Sequence, residues 1–261
     1  MAQGPKQKLS ELKEHLQRMP TIALAFSGGV DSSFLLAAAK SVRPQKLFAV
    51  TVVSEFVPER EVKFATKVAL SLKVEHICLR VNILENKEVA MNTDQRCYHC
   101  KMDMFKLIRK TARKLNIEYL LHGVNQDDLN DFRPGLKAAK ELGFLSPMVE
   151  VGLNKKEIRD LSQYLGLETW NKASQSCLAT RIPFATRIEK KELMRVDQAE
   201  AFLQDLGFSW VRVRCRDKTA KLELATDLIN KLEETHIRDK VSDFLKRLGF
   251  DRVILPESPD H

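Results

Sequence analysis

No stretch of the 261-residue chain approaches the roughly 20 consecutive apolar residues that a membrane helix needs, and the opening MAQGPKQKLSELKEHLQRM carries no secretory-type apolar run. The expected location is therefore the cytoplasm, with no membrane partner. Cysteine is scarce. Cys78, Cys97, Cys100, Cys177 and Cys215 are the whole set, and an odd number of thiols in a reducing compartment argues against a disulfide framework. Internal repeats and low-complexity linkers are absent, as is any basic run interleaved with aromatic residues of the kind that stacks nucleotide bases. A nucleic-acid partner is accordingly not expected.

What is present is a chain 44% hydrophobic and 30% charged, long enough for one large domain or for one domain and a smaller companion. The 43 Lys and Arg against 35 Asp and Glu leave a net charge of +8, which suits a polyanionic partner, be it ATP, a nucleotide-like substrate or RNA; the sign does not choose among them. Much of that charge alternates in sign, as in KKEIRD and EKKELMR, which is the pattern of solvated helix faces.

Helical apolar spacing over Ser10–Arg18 gives way to the continuous apolar run TIALAF, Thr21–Phe26, as expected of a strand buried on both faces. Helix-like Ser33–Ser41, strand-like KLFAVTVV from Lys46, helix-like Glu59–Leu72 and strand-like VEHICLR from Val74 follow in turn. A helix over Lys101–Leu115, the short strand EYLLHG and a helix over Lys155–Leu165 complete the alternation, which predicts an α/β fold with a doubly wound parallel sheet. Beyond NKASQSCLATRIPFATRI the texture changes to a helix at Lys190–Leu206, alternating WVRVRC and AKLELA, a helix at Arg238–Leu248 and RVILP. The expected organisation is one domain over residues 1–185 and a smaller C-terminal α+β domain over 186–261, a three-stranded sheet backed by helices. Cys78 and Cys215 fall in strand-like runs and are expected to pack in the core.

SGGVDSS, Ser27–Ser33, stands between the first strand and the following helix. Two glycines there let the backbone approach an anion, and the helix N-terminus offers unpaired amides and the positive end of its dipole. An ordinary glycine turn capped by Asp31 or Ser32 would carry the same letters, but the full string after a buried strand favours a phosphate cradle. It is neither GxxxxGK[ST] nor GxGxxG with a distant acid, which sets aside the enzymes built on those loops. GVNQDDLNDFRPG, Gly123–Gly135, follows the last clear strand of the sheet, at the carboxyl edge where α/β proteins place ligands. Its carboxylates Asp127, Asp128 and Asp131 are candidate Mg²⁺ ligands beside phosphate oxygens, the alternative being an Asp/Asn-rich turn.

SGGVDS resembles the PP-loop signature of the ATP pyrophosphatase superfamily. That resemblance implies an adenine nucleotide α-hydrolase-like fold, ATP as a substrate, and Ser27, Gly28, Gly29, Asp31 and Ser32 holding the pyrophosphate, with Gly123 and Asp128 beside them. Within that superfamily the cysteines discriminate. Cys97 and Cys100 form a CxxC, and Cys177 lies in the later loop SQSCLATR. A closed zinc site wants four ligands, and His99, flanked by the pair, turns with difficulty toward a metal they already hold. Three thiolates on a [4Fe-4S] cluster would leave one iron open to an exogenous ligand such as sulfide.

Taken with GVNQDDLNDFRPGLKAA, WNKASQSCLATR and VRVR, the resemblance narrows to the LarE family of ATP-dependent sulfur transferases over nearly the whole chain. It implies adenylation of a carboxylate of pyridinium-3,5-biscarboxylic acid mononucleotide, conversion to a thiocarboxylate on the way to the nickel-pincer cofactor of lactate racemase, and a homo-oligomer. Some members donate the sulfur of one cysteine in the SxC loop; others hold a [4Fe-4S] cluster on three cysteines. The pattern here matches the second, with Cys97, Cys100 and Cys177 as ligands and sulfide or another sulfur donor as partner. The same resemblance implies catalytic roles for Cys177, Asp31 and Arg181 and substrate contacts for Glu200 and for Arg212 and Arg214, which the strand pattern alone would equally leave as solvent-facing arginines; Lys101, just past the CxxC, is a further catalytic candidate within reach of a phosphate or carboxylate. Rival readings are a sacrificial Cys177, a PP-loop tRNA thiolase, zinc in place of the cluster, and an ATP-sensing metal-binding module that releases no pyrophosphate.

Overall fold

A computed structural model describes residues 4–130 and 134–256. In chain order the elements are α1 (Pro5–Gln17), β1 (Thr21–Ala25), α2 (Val30–Ser41), β2 (Lys46–Val53), α3 (Glu59–Ser71), β3 (Glu75–Arg80), α4 (Lys87–Ala90), α5 (Arg96–Lys114), β4 (Tyr119–His122), α6 (Pro134–Glu141), α7 (Pro147–Glu150), α8 (Lys155–Tyr164), α9 (Lys190–Asp205), β5 (Val211–Arg216), β6 (Thr219–Leu224), α10 (Ile229–Glu233), α11 (Thr235–Arg247) and β7 (Arg252–Ile254). They fall into two compact units. One comprises the chain up to Ile83 together with Gln95–Gln175; the other comprises Leu84–Asp94 and the chain from Ser176 onward.

The first unit is a parallel sheet in the order β3-β2-β1-β4. Because side chains alternate across a strand, β1 sends Ile22 and Leu24 into one core with Leu12, Leu16, Phe34, Leu36, Ala65 and Ile158, from α1, α2, α3 and α8. It sends Ala23 into the opposite core with Phe105, Ile108, Ala112 and Phe144. A strand that must be apolar on both faces reads as an unbroken apolar run, as TIALA does. The chain winds outward from β1 to β2 and β3, then returns to place β4 on the other side of β1. The carboxyl ends of β1 and β4 therefore flank the point where strand order reverses, where such sheets open a crevice.

The second unit pairs β5 with β6 as an antiparallel hairpin and β6 with β7 in parallel. Val211, Val213 and Cys215 face inward on β5, while Arg212 and Arg214 alternate on the opposite face. Helix α9 covers this sheet, and Phe202 of α9 stacks on Phe244 of α11 with ring centroids 3.9 Å apart. The α/β class and the three-stranded α+β companion follow the patterns expected from sequence.

Two expectations are corrected. Helix α5 begins at Arg96, not Lys101, so Cys97 and Cys100 lie on its first turns instead of a preceding loop. Cys78, expected in the core, is exposed. Its run looks like a buried strand, but β3 is the sheet's edge and burial there is incomplete; the sulfur instead stands 3.8 and 3.9 Å from the two ring nitrogens of His76. Cys215 is buried as expected, and that burial pushes its thiol pKa up to about 11.

Candidate active site

The phosphate loop is built by packing that admits no side chain at two points. Gly28 has φ +68°, and a Cβ there would sit 2.8 Å from Cα of Ala65 on α3. A Cβ on Gly123, just past β4, would lie 2.9 Å from both N and Cα of Ser32. The loops after β1 and β4 thus touch through glycine, and this close approach brings the two sequence motifs together. Ser32 Oγ donates to Gly29 O at 3.2 Å and lies 3.1 Å from Ser27 Oγ, while Ser27 Oγ accepts from Gly29 N at 3.3 Å. These bonds hold the loop that leads into the N-terminus of α2.

Asn125, buried to 2% exposure, organises the facing loop. Its Oδ1 accepts from Asp127 N at 2.9 Å and Asp128 N at 3.3 Å, and Asp128 Oδ2 accepts from Asn125 N at 3.0 Å, a reciprocal cap. Asn125 Nδ2 also donates to Asp31 Oδ1 at 3.4 Å. Asp127 Oδ2 accepts from Lys155 N, the first residue of α8, at 2.9 Å. The other oxygen of Asp31 pairs with Lys155 Nζ. Asp127 and Asp128 therefore brace the loop, and both are hard oxygen donors on the cleft wall, of the kind that suits Mg²⁺. Asp131 lies outside the described residues.

Together these groups line a cleft of about 690 Å³, within the range of small-ligand sites. Ser27, Gly29, Asp31, Ser32, Gly123, Asp127, Asp128, Lys101 and Cys97 all border it, with Phe26, Val52, Met104, Phe105 and Ile108 supplying apolar wall. Lys101 Nζ sits 5.4 Å from the centroid of the Phe105 ring. His122, at the end of β4, is buried, which pushes its pKa down to about 4, with the Lys101 charge adding to the shift. It is neutral at physiological pH, its Nε2 2.6 Å from Ser146 Oγ.

Cys97 and Cys100 are one helical turn apart, and neither is in a disulfide. Cys97 is exposed and receives a contact from Arg96 Nη2 at 3.7 Å; Cys100 reaches Met104 Sδ at 3.9 Å. Among the described residues no group of three or more His, Cys, Asp or Glu side chains is gathered as a ready metal cage.

In the second unit Cys177 is exposed at the head of a short helical turn, Leu178–Arg181. Arg181 is 2% exposed and turned onto Glu200, 1% exposed, through Nε–Oε1 at 2.7 Å and Nη2–Oε2 at 3.1 Å. Its Nη1 donates to Ser176 O, Ser176 Oγ, Cys177 O and Thr180 Oγ1 between 2.6 and 3.3 Å, so one guanidinium sets the backbone around Cys177. Glu200 Oε1 also accepts from Val213 N at 3.0 Å. Arg214 pairs in a fork with Glu223 at 3.0 and 2.9 Å and donates to Thr180 O. Arg212 lies 4.9 Å from the Trp210 ring, and its pKa is lowered by partial burial and then by the neighbouring Arg181 and Arg214 charges.

The residues that sequence reasoning missed are Asn125, Lys155 and His122. Asn125 had a readable signal in the N-x-x-D spacing of a helix cap. Lys155 had none, standing 124 positions from its partner Asp31 among the ordinary charges of a helix start.

A model of the asparagine synthase family matches residues 10–141. An uncharacterized protein of Synechocystis sp. is 35% identical over 95% of this chain and 92% of its own length. The pyridinium-3,5-bisthiocarboxylic acid mononucleotide synthase of Lactiplantibacillus plantarum is 31% identical over 95% of this chain and 90% of its own length. An uncharacterized protein of Methanocaldococcus jannaschii is 28% identical over 95% of both. Sheet order, phosphate loop and matched family define an ATP-pyrophosphatase enzyme of the PP-loop class. Within that class, the chain belongs to the LarE family and is an ATP-dependent sulfur transferase. Among the described residues no helix is long and apolar enough to cross a membrane.

Proposed function

We propose that the enzyme adenylates a carboxylate of pyridinium-3,5-biscarboxylic acid mononucleotide and converts it to the thiocarboxylate, a step of nickel-pincer cofactor synthesis. The observation that carries this is the contact of the phosphate loop with the Gly123–Asp128 loop at the switch point of a sheet whose chain is 31% identical to a synthase of that product. A carboxylate oxygen is a poor leaving group. Attack by that oxygen on the α-phosphorus of ATP expels pyrophosphate, and the resulting acyl adenylate then loses AMP to a sulfur nucleophile. The amides at Gly29 and the start of α2 would stabilise the departing pyrophosphate, with Asp127 and Asp128 as the groups that would hold Mg²⁺ beside it. Arg212 and Arg214 would engage the mononucleotide phosphate, Arg212 being a guanidinium crowded by like charges and so suited to a counter-anion.

Cys97, Cys100 and Cys177 would hold the [4Fe-4S] cluster; three soft thiolates suit iron, and Cys97 and Cys177 are exposed. When bound, such a cluster supplies sulfide at its open iron. Anaerobic purification with iron and sulfide analysis tests this: about four of each per chain are expected, falling sharply in Cys97→Ser and Cys100→Ser. A colourless, iron-free protein whose Cys177 loses one sulfur during turnover, seen by mass spectrometry, would replace the cluster with the sacrificial route. In Asp31→Ala, pyrophosphate release on mixing ATP with substrate is expected to drop to background while the iron content stays unchanged. Release at the wild-type rate would remove Asp31 from the ATP site.

A further inference from the structure

The adenylation chemistry uses neither Cys78 nor His76. Both stand on β3, which pairs only with β2 among the described strands, and with Arg80 they share one face of that edge strand. Cys78 is exposed and in no disulfide. Its Sγ lies 3.9 Å from Nδ1 and 3.8 Å from Nε2 of His76. A hydroxyl on the next strand orients the imidazole. Thr51 of β2 donates its one hydroxyl hydrogen to Phe26 O at 2.8 Å, so the same oxygen, 2.7 Å from His76 Nε2, accepts from the ring. A neutral His76 therefore carries its hydrogen on Nε2 and keeps Nδ1 as the acceptor. Phe26 packs edge-on against the ring, centroids 5.9 Å apart, and partial burial lowers the imidazole pKa, which favours that neutral form. Thiol, base and orienting hydroxyl thus stand in the order that an activated nucleophile requires.

We propose that Cys78 and His76 form a sulfur-loading site that takes sulfane sulfur from a persulfide, R–S–SH. The proposal rests on the chain being a sulfur transferase and not on which carboxylate it thiolates. His76 Nδ1 takes the thiol proton as the Cys78 sulfur attacks the outer sulfur of the donor. The new Cys78–S–SH bond forms, the donor S–S bond breaks, and the departing thiolate takes the proton back from the imidazolium. Sulfur is passed on with no net oxidation, so no further reactant is consumed. A long thiol–imidazole contact is common in a site without its substrate and closes when the donor binds. Arg80, exposed on the same face, favours a donor that carries carboxylates, as glutathione persulfide does. The reaction that supplies this site is accordingly one that generates persulfides.

The test follows each thiol separately. Full-length protein is mixed with glutathione persulfide under anaerobic conditions and quenched by alkylation at timed intervals, and peptide mass spectrometry reads the extra sulfur on each cysteine. In the wild type Cys78 should load ahead of Cys97 and Cys177, which are also exposed. His76→Gln should slow the loading of Cys78 by about tenfold or more while Cys97 and Cys177 keep their wild-type rates. Thr51→Val, which leaves the tautomer unfixed, should slow Cys78 severalfold in the same selective way. Thermal melts of both variants check that the fold is kept, and the wild-type ranking needs no variant. Loading of Cys78 no faster than that of Cys97 and Cys177, or at one rate in wild type and His76→Gln, would overturn the proposal. Neither ATP nor the pyridinium substrate is present, so failure of the proposed thiolation would leave this result standing, and the reverse also holds.

Discussion

Cys177→Ala is expected to form acyl adenylate and release pyrophosphate at close to the wild-type rate while producing no thiocarboxylate. The expectation comes from where the two halves of the chemistry reside. The phosphate loop, its carboxylates and Lys155 all belong to the first compact unit, whereas Cys177 belongs to the second. Removing its sulfur takes away a metal ligand or a sulfur donor, not a charge that stabilises pyrophosphate. Pyrophosphate release monitored beside mass spectrometry of the product separates the steps. Thiocarboxylate formed at a normal rate would sink both sulfur routes considered for Cys177; loss of both activities would show that adenylation itself depends on this loop.

Glu200→Ala should lower stability by about 3–5 kcal/mol, because it leaves the guanidinium of Arg181 buried without its counter-charge and strips Val213 N of its acceptor. For a chain of this size that corresponds to a fall in Tm of roughly 10 °C. Replacing both partners by apolar residues of similar volume, Arg181→Met with Glu200→Leu, should recover much of the loss, since a buried ion pair and a well-packed apolar pair have comparable stability. The double variant is still expected to lose thiolation, because Arg181 Nη1 binds the carbonyls of Ser176 and Cys177 and so sets the shape of the loop that presents the thiol. A double variant with restored Tm and full thiolation would reduce the pair to a purely structural role. Thermal melts and product formation on the same preparations decide between these outcomes.

Much of the architecture was legible because it rests on local periodicity. TIALA announces a doubly buried strand, the alternation of strand and helix up to residue 165 follows the parallel sheet, and VRVRC spells out inward Val211, Val213 and Cys215 against outward arginines. The phosphate loop was equally visible, since glycine is required there by a positive φ and by contact with Ala65. Cys78 was misjudged for the complementary reason. Its neighbours have the composition of a buried strand, but whether a strand is central or at the edge depends on the order in which strands pair, and β3 pairs on one side only.

The chain's sequence by itself determined the α/β class, the phosphate loop, the carboxylate-rich loop after β4, the set of three candidate thiols and the family to which these belong. Tertiary structure alone decided that Gly123 lies against Ser32, that Asp31 pairs with a lysine 124 residues away, and that Arg181 turns inward onto Glu200. The physical reason is range. Backbone conformation and amphipathic periodicity are set by residues a few positions apart, and their marks stay in the local string. Charge pairing and close backbone approach depend on which elements the sheet order brings side by side, and residues such as Lys155 and Glu200 bear no local mark of the partner they will meet.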